Sequence, residues 1–257
     1  MEGIKMERTH LVRQRLELTD GKARVMACGD WHLGAKTCDI DAIRHHINLC
    51  LEKNSYFLGM GDMLEMATKD SPGSGVFEQD APDGQVEMVV NLLRPLAERG
   101  LIVGIHDGNH ERRMTKLTGV NIMKLVCQIL GVRYLNHVAY HIWYVGQESY
   151  TVYSTHGSSG ARLPYTKIKS ALDVFRFADT ELVLYAHTHG LDHMTQQYKR
   201  LNKKTKAVET AIRHAVLTGS FLAYDGSYAE QANLPPCSIG SPVVHMYPDH
   251  HEIRVMM

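Results

Sequence analysis

The chain has 257 residues, 44% hydrophobic and 22% charged, an ordinary globular composition with enough length to bury one large α/β core. Its 28 basic and 28 acidic residues cancel to a formal charge of zero, so no global field draws it to nucleic acid or to a membrane surface, and an anionic ligand must be attracted locally. The five cysteines, Cys28, Cys38, Cys50, Cys127 and Cys237, form no CxxC pair; that argues against a disulfide framework or a zinc ribbon and fits a reducing cytoplasm.

Residues 1–21 carry charges throughout and no apolar signal region, and no stretch approaches the roughly 18 apolar residues of a membrane span. Strands and helices then alternate. Residues 22–28 read as a strand, and Ile40, Ile43, Ile47 and Leu51 as one helix face. The next strand is 55–60, and Val86, Val89, Val90, Leu93 and Leu96 mark a helix ending at Gly100. A strand at 101–106 precedes a helix near 122–130, closed by Gly131. This βαβαβα order predicts a sheet covered by helices, with its loops gathered along one edge. Beyond Gly131, residues 139–145 and 150–154 read as a hairpin, 166–178 as a helix and 181–185 as a strand. Residues 194–201 and 207–217 form a second hairpin with a lysine-rich tip at 199–206, and 243–247 with 252–256 a third. The stretch 68–84, rich in Ser, Pro, Gly and Asp, reads as an exposed loop. A second sheet is implied, and with no linker or repeat the expectation is one domain over residues 1–257.

Five polar segments fall where apolar runs stop: Asp30-Trp31-His32, Gly61-Asp62, Gly108-Asn109-His110-Glu111, His156-Gly157 and His187-Thr188-His189. Strand ends of an open α/β sheet are where ligand-binding residues gather. Imidazole nitrogens with carboxylate and amide oxygens, and no thiolate, suit borderline first-row dications. Two such ions side by side clamp the attacking and leaving oxygens of a phosphoryl displacement. One Asp, Asn or His at a strand end is usually a cap or turn former; the ordered set of five segments is what points to metal. The remaining histidines have no usable spacing and read as structural or exposed.

The order DxH, GD, GNHE, H, HxH resembles the calcineurin-like metallophosphoesterase superfamily. The resemblance implies an α/β fold, a four-layer α/β/β/α sandwich of two mixed sheets flanked by helices, with a dimetal site on strand-end loops. It places Asp30, His32 and His189 on one ion, and Asn109, His156 and His187 on the other, with Asp62 bridging. The nucleophile would be a hydroxide held between the ions. His110 would serve the leaving group, and Glu65, in a GDxxE pattern, would orient that histidine. Arg112 and Arg113 are candidates to grip a phosphate oxygen, Arg112 being preferred. Two divalent ions are implied, Mn²⁺ first, with Fe, Ni, Zn or Mg as alternatives.

Departures from the pattern are modest. Ala186 stands where many relatives have glycine before HxH, and the Asp-Arg pair of the Ser/Thr phosphoprotein phosphatases is absent after Asp62. The His156–Gly160 run HGSSG lacks the GxSxG elbow, so a nucleophilic serine is not expected. Residues 217–222, 225–230 and 235–242 resemble the C-terminal segment of metallophosphoesterases of tailed phages and prophages, which implies DNA or nucleotide metabolism in a bacterial or phage-infected cytoplasm. The expected function is therefore hydrolysis of a phosphodiester, DNA or nucleotide. Alternatives are a phosphomonoesterase acting on a small molecule or phosphoprotein, and a non-catalytic scaffold of the same fold. The basic tip at 199–206 could touch a phosphate backbone or be a solvated turn.

Overall fold

The computed structural model describes residues 10–69, 71, 79–202, 205–227, 230, 233 and 235–257. Its first sheet is built on short apolar strands buried on both faces, as parallel strands between two layers must be. Strands β2 (Ala23–Cys28), β3 (Tyr56–Gly59), β4 (Ile102–His106) and β5 (Tyr134–Asn136) run parallel, and the hairpin β11 (Val243–Met246) and β12 (Ile253–Met256) adds antiparallel to β2. The order is β12-β11-β2-β3-β4-β5. A second sheet has the order β1-β6-β7-β8-β10-β9, from β1 (His10–Arg15), β6 (Val138–Val145), β7 (Glu148–Thr155), β8 (Leu182–Tyr185), β9 (Leu191–Asn202) and β10 (Ala207–Thr218).

Four layers follow from three apolar interfaces. Helices α1 (Ile40–Lys53), α2 (Pro82–Glu98) and α4 (Ile122–Leu130) set Ile43, Val89, Leu93 and Val126 against Phe57 and Ile105 of the first sheet. Between the sheets, Val25, Leu58 and Val103 meet Trp143, Val152 and Leu184. On the far side α5 (Pro164–Asp173) packs Ile168 and Ala171 on Val183 and Ala215. This is the α/β/β/α arrangement expected. Strands β2, β3 and β4 run parallel in the first sheet, as β7 and β8 do in the second, and the loops that follow these five strands carry all five polar segments.

Some elements differ from the predicted ones. Residues 82–84 are not loop but the first turn of α2, and α5 begins at 164 rather than 166. In both helices a proline supplies the required φ at the start. Helix α5 gives way at Val174 to a 3₁₀ turn, Val174–Arg176. Of the rest of the expected loop, 68, 69, 71 and 79–81 are in neither helix nor strand, while 70 and 72–78 lie outside the described residues, as do Lys203 and Lys204 of the basic tip. Edge strand β1, the three-residue β5 and helix α3 (Asn109–Thr118) have no counterpart among the predicted elements. No described helix is long and apolar enough to cross a membrane.

One polar seam crosses the apolar layer between the sheets. The Ser154 hydroxyl on β7 lies 2.7 Å from His106 Nε2 on β4 and 2.6 Å from His141 Nε2 on β6, and His106 Nδ1 donates to the Asn136 carbonyl at 3.0 Å. Burial pushes both histidines down to about 3, so they are neutral in the fold while the unfolded chain takes up protons near pH 6.5. Stability contributed here is complete above about pH 6.5 and is lost as pH falls from there towards 3. In urea unfolding between pH 6 and 4, His141→Gln should reduce the dependence of stability on pH by about one proton, roughly 1.4 kcal/mol per pH unit. An unchanged slope would mean that His141 takes up its proton without unfolding.

Candidate metal centre

The loops after β2 and β3 are joined backbone to backbone. Asp30 N–H donates to Gly61 O at 2.9 Å, Trp31 and His32 N–H to Asp62 O at 2.9 and 3.0 Å, and Leu33 N–H to Met63 O at 3.0 Å. Trp31 anchors the first loop from below, fully buried between Phe57 and Phe221 with ring centroids 5.8 and 6.4 Å away. Asp30, His32, Asp62, His187 and His189 all have positive φ, between 48° and 67°. This left-handed region is uncommon for side-chain-bearing residues, though Asp and His enter it more readily than most, and its clustering at one place marks a functional constraint.

Glu111 organises the centre from beneath, a role not assigned from the sequence although its motif is legible there. Its buried carboxylate accepts N–H groups of Gly108 (3.0 Å) and Asp62 (3.2 Å) on Oε2 and of Leu64 (3.0 Å) on Oε1. The contact to Gly108, three residues before it at the start of α3, is the return half of a capping box. The Gly-x-x-Glu spacing is the signal that could have found it. Burial, followed by the Asp62 and Asp107 carboxylates, pushes its pKa up to about 7. Glycine is required at 108, because a Cβ there would lie 2.1 Å from both the Asp62 nitrogen and Oδ1.

Above this base the candidate ligands form two principal groups, Asp30 with His32 and His189, and Asp62 with His156 and His187. In each, the ligand atoms lie within 4.8 Å of one another. Two atoms bound to one ion at about 2.1 Å stand roughly 3.0–3.4 Å apart in octahedral or tetrahedral geometry. His32 Nε2 and His189 Nε2 are 3.3 Å apart, and His189 Nε2 and Asp30 Oδ1 3.4 Å. His156 Nε2 is 3.2 Å from Asp62 Oδ2 and 3.0 Å from Asn109 Oδ1. His32 Nε2 to Asp30 Oδ1 is wider, at 4.0 Å. Asp30 Oδ1 is buried with no hydrogen-bond partner. These residues therefore fit divalent ions in spacing and in donor type.

Their outer contacts fit as well. His32 Nδ1 is held by Glu65 Oε2 at 3.0 Å and His156 Nδ1 by Met60 O at 2.9 Å, which leaves each Nε2 for an ion. Burial, with His110 nearby, holds His32 below the usual histidine range, and burial with His156 does the same to His187. His156 is the opposite case: burial works against its charge, but the Asp62 carboxylate outweighs it and lifts the pKa to about 10. Buried carboxylates need positive charge. Asp62 is held well below the usual carboxylate range, its burial outweighed by His156 and His110.

His110 sits at the rim. Its backbone N–H donates to Asp62 Oδ1 at 2.8 Å, its ring Nδ1 to the Glu65 carbonyl at 2.8 Å, and its ring lies edge-on to His32 at 4.4 Å. Burial opposes a charge there, but Asp62 and Glu65 outweigh it and hold the pKa above the usual value. Glu65 is shared: its carboxylate is nearer His32 (3.0 Å) than His110 (3.4 Å), and it is the backbone carbonyl that orients His110. The two arginines point to different neighbours. Arg113 Nη2 is 3.0 Å from His110 Nε2, whereas Arg112, one position round the helix, donates to Gly108 O and reaches His137.

No protein-family profile matches the chain, and no curated protein does. Among solved structures it is similar to Vacuolar Protein Sorting 29 from Cryptosporidium parvum, at 17% identity over 92% of this chain and 98% of that one, with a TM-score of 0.42. It is also similar to a metallophosphoesterase from Sphaerobacter thermophilus (15% identity, 90% and 87% covered, TM-score 0.40) and to a predicted phosphoesterase from Streptococcus pneumoniae (13%, 91% and 97%, TM-score 0.37).

Glu111→Gln replaces one accepting oxygen by an amide that faces donors. It should lower stability by roughly 2–4 kcal/mol in urea unfolding and reduce metal uptake measured on the folded protein. A variant of unchanged stability and metal content would remove Glu111 from its organising role.

Proposed function

We propose that this protein is a phosphoesterase working with two divalent ions, Mn²⁺ most productively, and that it cleaves phosphodiesters of DNA or nucleotides. The observation that carries the reading is the position of Asp62, whose buried carboxylate belongs both to the group with His156 and His187 and to one with His32 and His110. A carboxylate so placed can serve two ions. Asp30, His32 and His189 would hold one, and Asn109, His156 and His187 the other. Bound there, two dications lower the pKa of a water and draw charge from phosphoryl oxygens, as in-line displacement at phosphorus requires.

The chain's own groups supply the rest. Arg113 offers N–H donors at the His110 edge, suited to a non-bridging phosphate oxygen. His110, held by Glu65 and raised in pKa by the carboxylates around it, would pass an Nε2 proton to a departing oxygen once Arg113, whose Nη2 faces that nitrogen, has turned to the phosphate. The diester is favoured by the resemblance of residues 217–222, 225–230 and 235–242 to phage metallophosphoesterases. The competing monoester and scaffold readings are separated by turnover of bis-p-nitrophenyl phosphate against p-nitrophenyl phosphate after metal stripping and reloading. Cleavage of the monoester alone would overturn the diester assignment, and no cleavage of either would favour a scaffold.

Asp62→Asn should reduce metal content at both positions, and Asp30→Asn mainly at one, by metal analysis of the purified variants. An Asp62→Asn protein with two ions and full activity would rule out bridging. His110→Ala should keep both ions and lower kcat by roughly 10²–10⁴-fold on a nucleotide ester, with a smaller loss on a p-nitrophenyl ester, whose leaving group needs little protonation. Loss of an ion from this variant would make His110 a ligand instead.

A further inference from the structure

A cavity of about 380 Å³ opens beside the second ligand group, inside the range of roughly 300–1,000 Å³ for small-molecule sites. His156 stands in its wall, so cavity and metal group share a residue. The next residue, Gly157, lies against the Tyr185 ring at φ +85°, where a Cβ would come within 2.4 Å of ring carbons. Only glycine permits that approach. The Tyr185 hydroxyl accepts the Ser158 N–H at 3.1 Å, which fixes the ring.

Two further lining residues define what the cavity can hold. Phe177 is 69% exposed and is held edge-on by Tyr153, with centroids 6.1 Å apart, so it offers a ring face for stacking. Asp107 is 2% exposed; its Oδ2 accepts from the Tyr134 hydroxyl at 3.2 Å and Asn121 Nδ2 at 3.4 Å, while Oδ1 is buried with no partner. A buried carboxylate oxygen without a donor is costly, and a small turn of this side chain toward the cavity would let a ligand N–H satisfy it. A flat ring carrying an N–H donor meets both demands, and the shared His156 places its phosphate at the metal groups.

We propose that this cavity is a nucleobase pocket, receiving the base of the nucleotide whose phosphate is attacked, with Phe177 stacking on the ring and Asp107 accepting one of its N–H groups. The proposal rests on the phosphoesterase reading, which supplies the phosphate end. A phosphotyrosine ring has comparable shape but carries no donor for Asp107, so the nucleotide is favoured.

Binding of guanosine to the full chain in EDTA, followed by ligand-observed NMR, tests the pocket without turnover. Wild type should bind guanosine, and should bind purine riboside, whose base lacks both amino group and ring N–H, more weakly. Asp107→Asn should abolish that difference, and Phe177→Ala should weaken guanosine by roughly 5–100-fold, the range of one base–aromatic stack. Failure of wild type to bind guanosine, equal binding of guanosine, purine riboside and phosphotyrosine, or indifference to Phe177→Ala would each overturn the pocket. In turnover, Phe177→Ala should raise KM for p-nitrophenyl thymidine 5′-phosphate and leave methyl p-nitrophenyl phosphate, with the same leaving group, unaltered. Guanosine binding with no turnover of either ester by any metal form would sink the phosphoesterase reading alone.

Discussion

The geometry of the centre hangs on one buried carboxylate. Glu111 gathers the N–H groups of Gly108, Asp62 and Leu64, so the loop after β3 and the first turn of α3 cannot move independently. Because the loop after β2 is hydrogen-bonded along the loop after β3, Asp30 and His32 inherit the same frame. The second sheet is tied in by a ligand: Asp30 Oδ2 accepts the His187 N–H at 2.9 Å, which sets the HxH loop relative to the first sheet. Candidate ligands from both sheets are thus positioned by hydrogen bonds that the protein makes on its own, the preorganisation that a binding site on loops otherwise lacks.

Preorganisation has a conformational cost. Five candidate ligands hold left-handed backbone, which for a residue other than glycine costs of order 1–3 kcal/mol when it is not locally supported. The surrounding amide hydrogen bonds and the buried Trp31 offset that cost. The left-handed residues follow β2, β3 and β8, where the backbone leaves the regular pleat of the strands. An extended backbone would also put Asp30 with His32, and His187 with His189, on one face, since the members of each pair are two residues apart.

Much of this was legible in the sequence because the information is local. The ligand types sit at fixed spacing after apolar runs, and the three hairpins carry their turns between them. What was not legible depends on distant partners or on helix phase. Strand β1 buries only Val12 deeply and is a strand because β6, far along the chain, pairs with it in parallel. Strand β5, with only three residues, is likewise defined by β4 beside it. Arg112 and Arg113 are indistinguishable by type, and only the turn of α3 decides that Arg113 faces His110. Glu65 divides between His32 and His110 because the backbone there places its carbonyl, not its carboxylate, at the closer contact with His110.

The seam between the sheets has a further consequence. A neutral histidine carries one ring proton, and that of His106 is committed to Asn136, so its Nε2 must accept from Ser154. The serine has a single proton to give; its oxygen must then accept from His141 Nε2, which leaves His141 Nδ1 bare, and that atom is indeed buried without a partner. The hydrogen bonds therefore run in one direction only, from β6 through β7 to β4 and on to the β5 backbone. Sliding β7 by one residue would replace the hydroxyl with Tyr153 or Thr155 and turn it to the other face, stranding two imidazoles in an apolar layer. In a contact surface of Val, Leu, Ala and Trp that could accept several offsets, this one-way chain acts as a key that admits a single alignment of the two sheets.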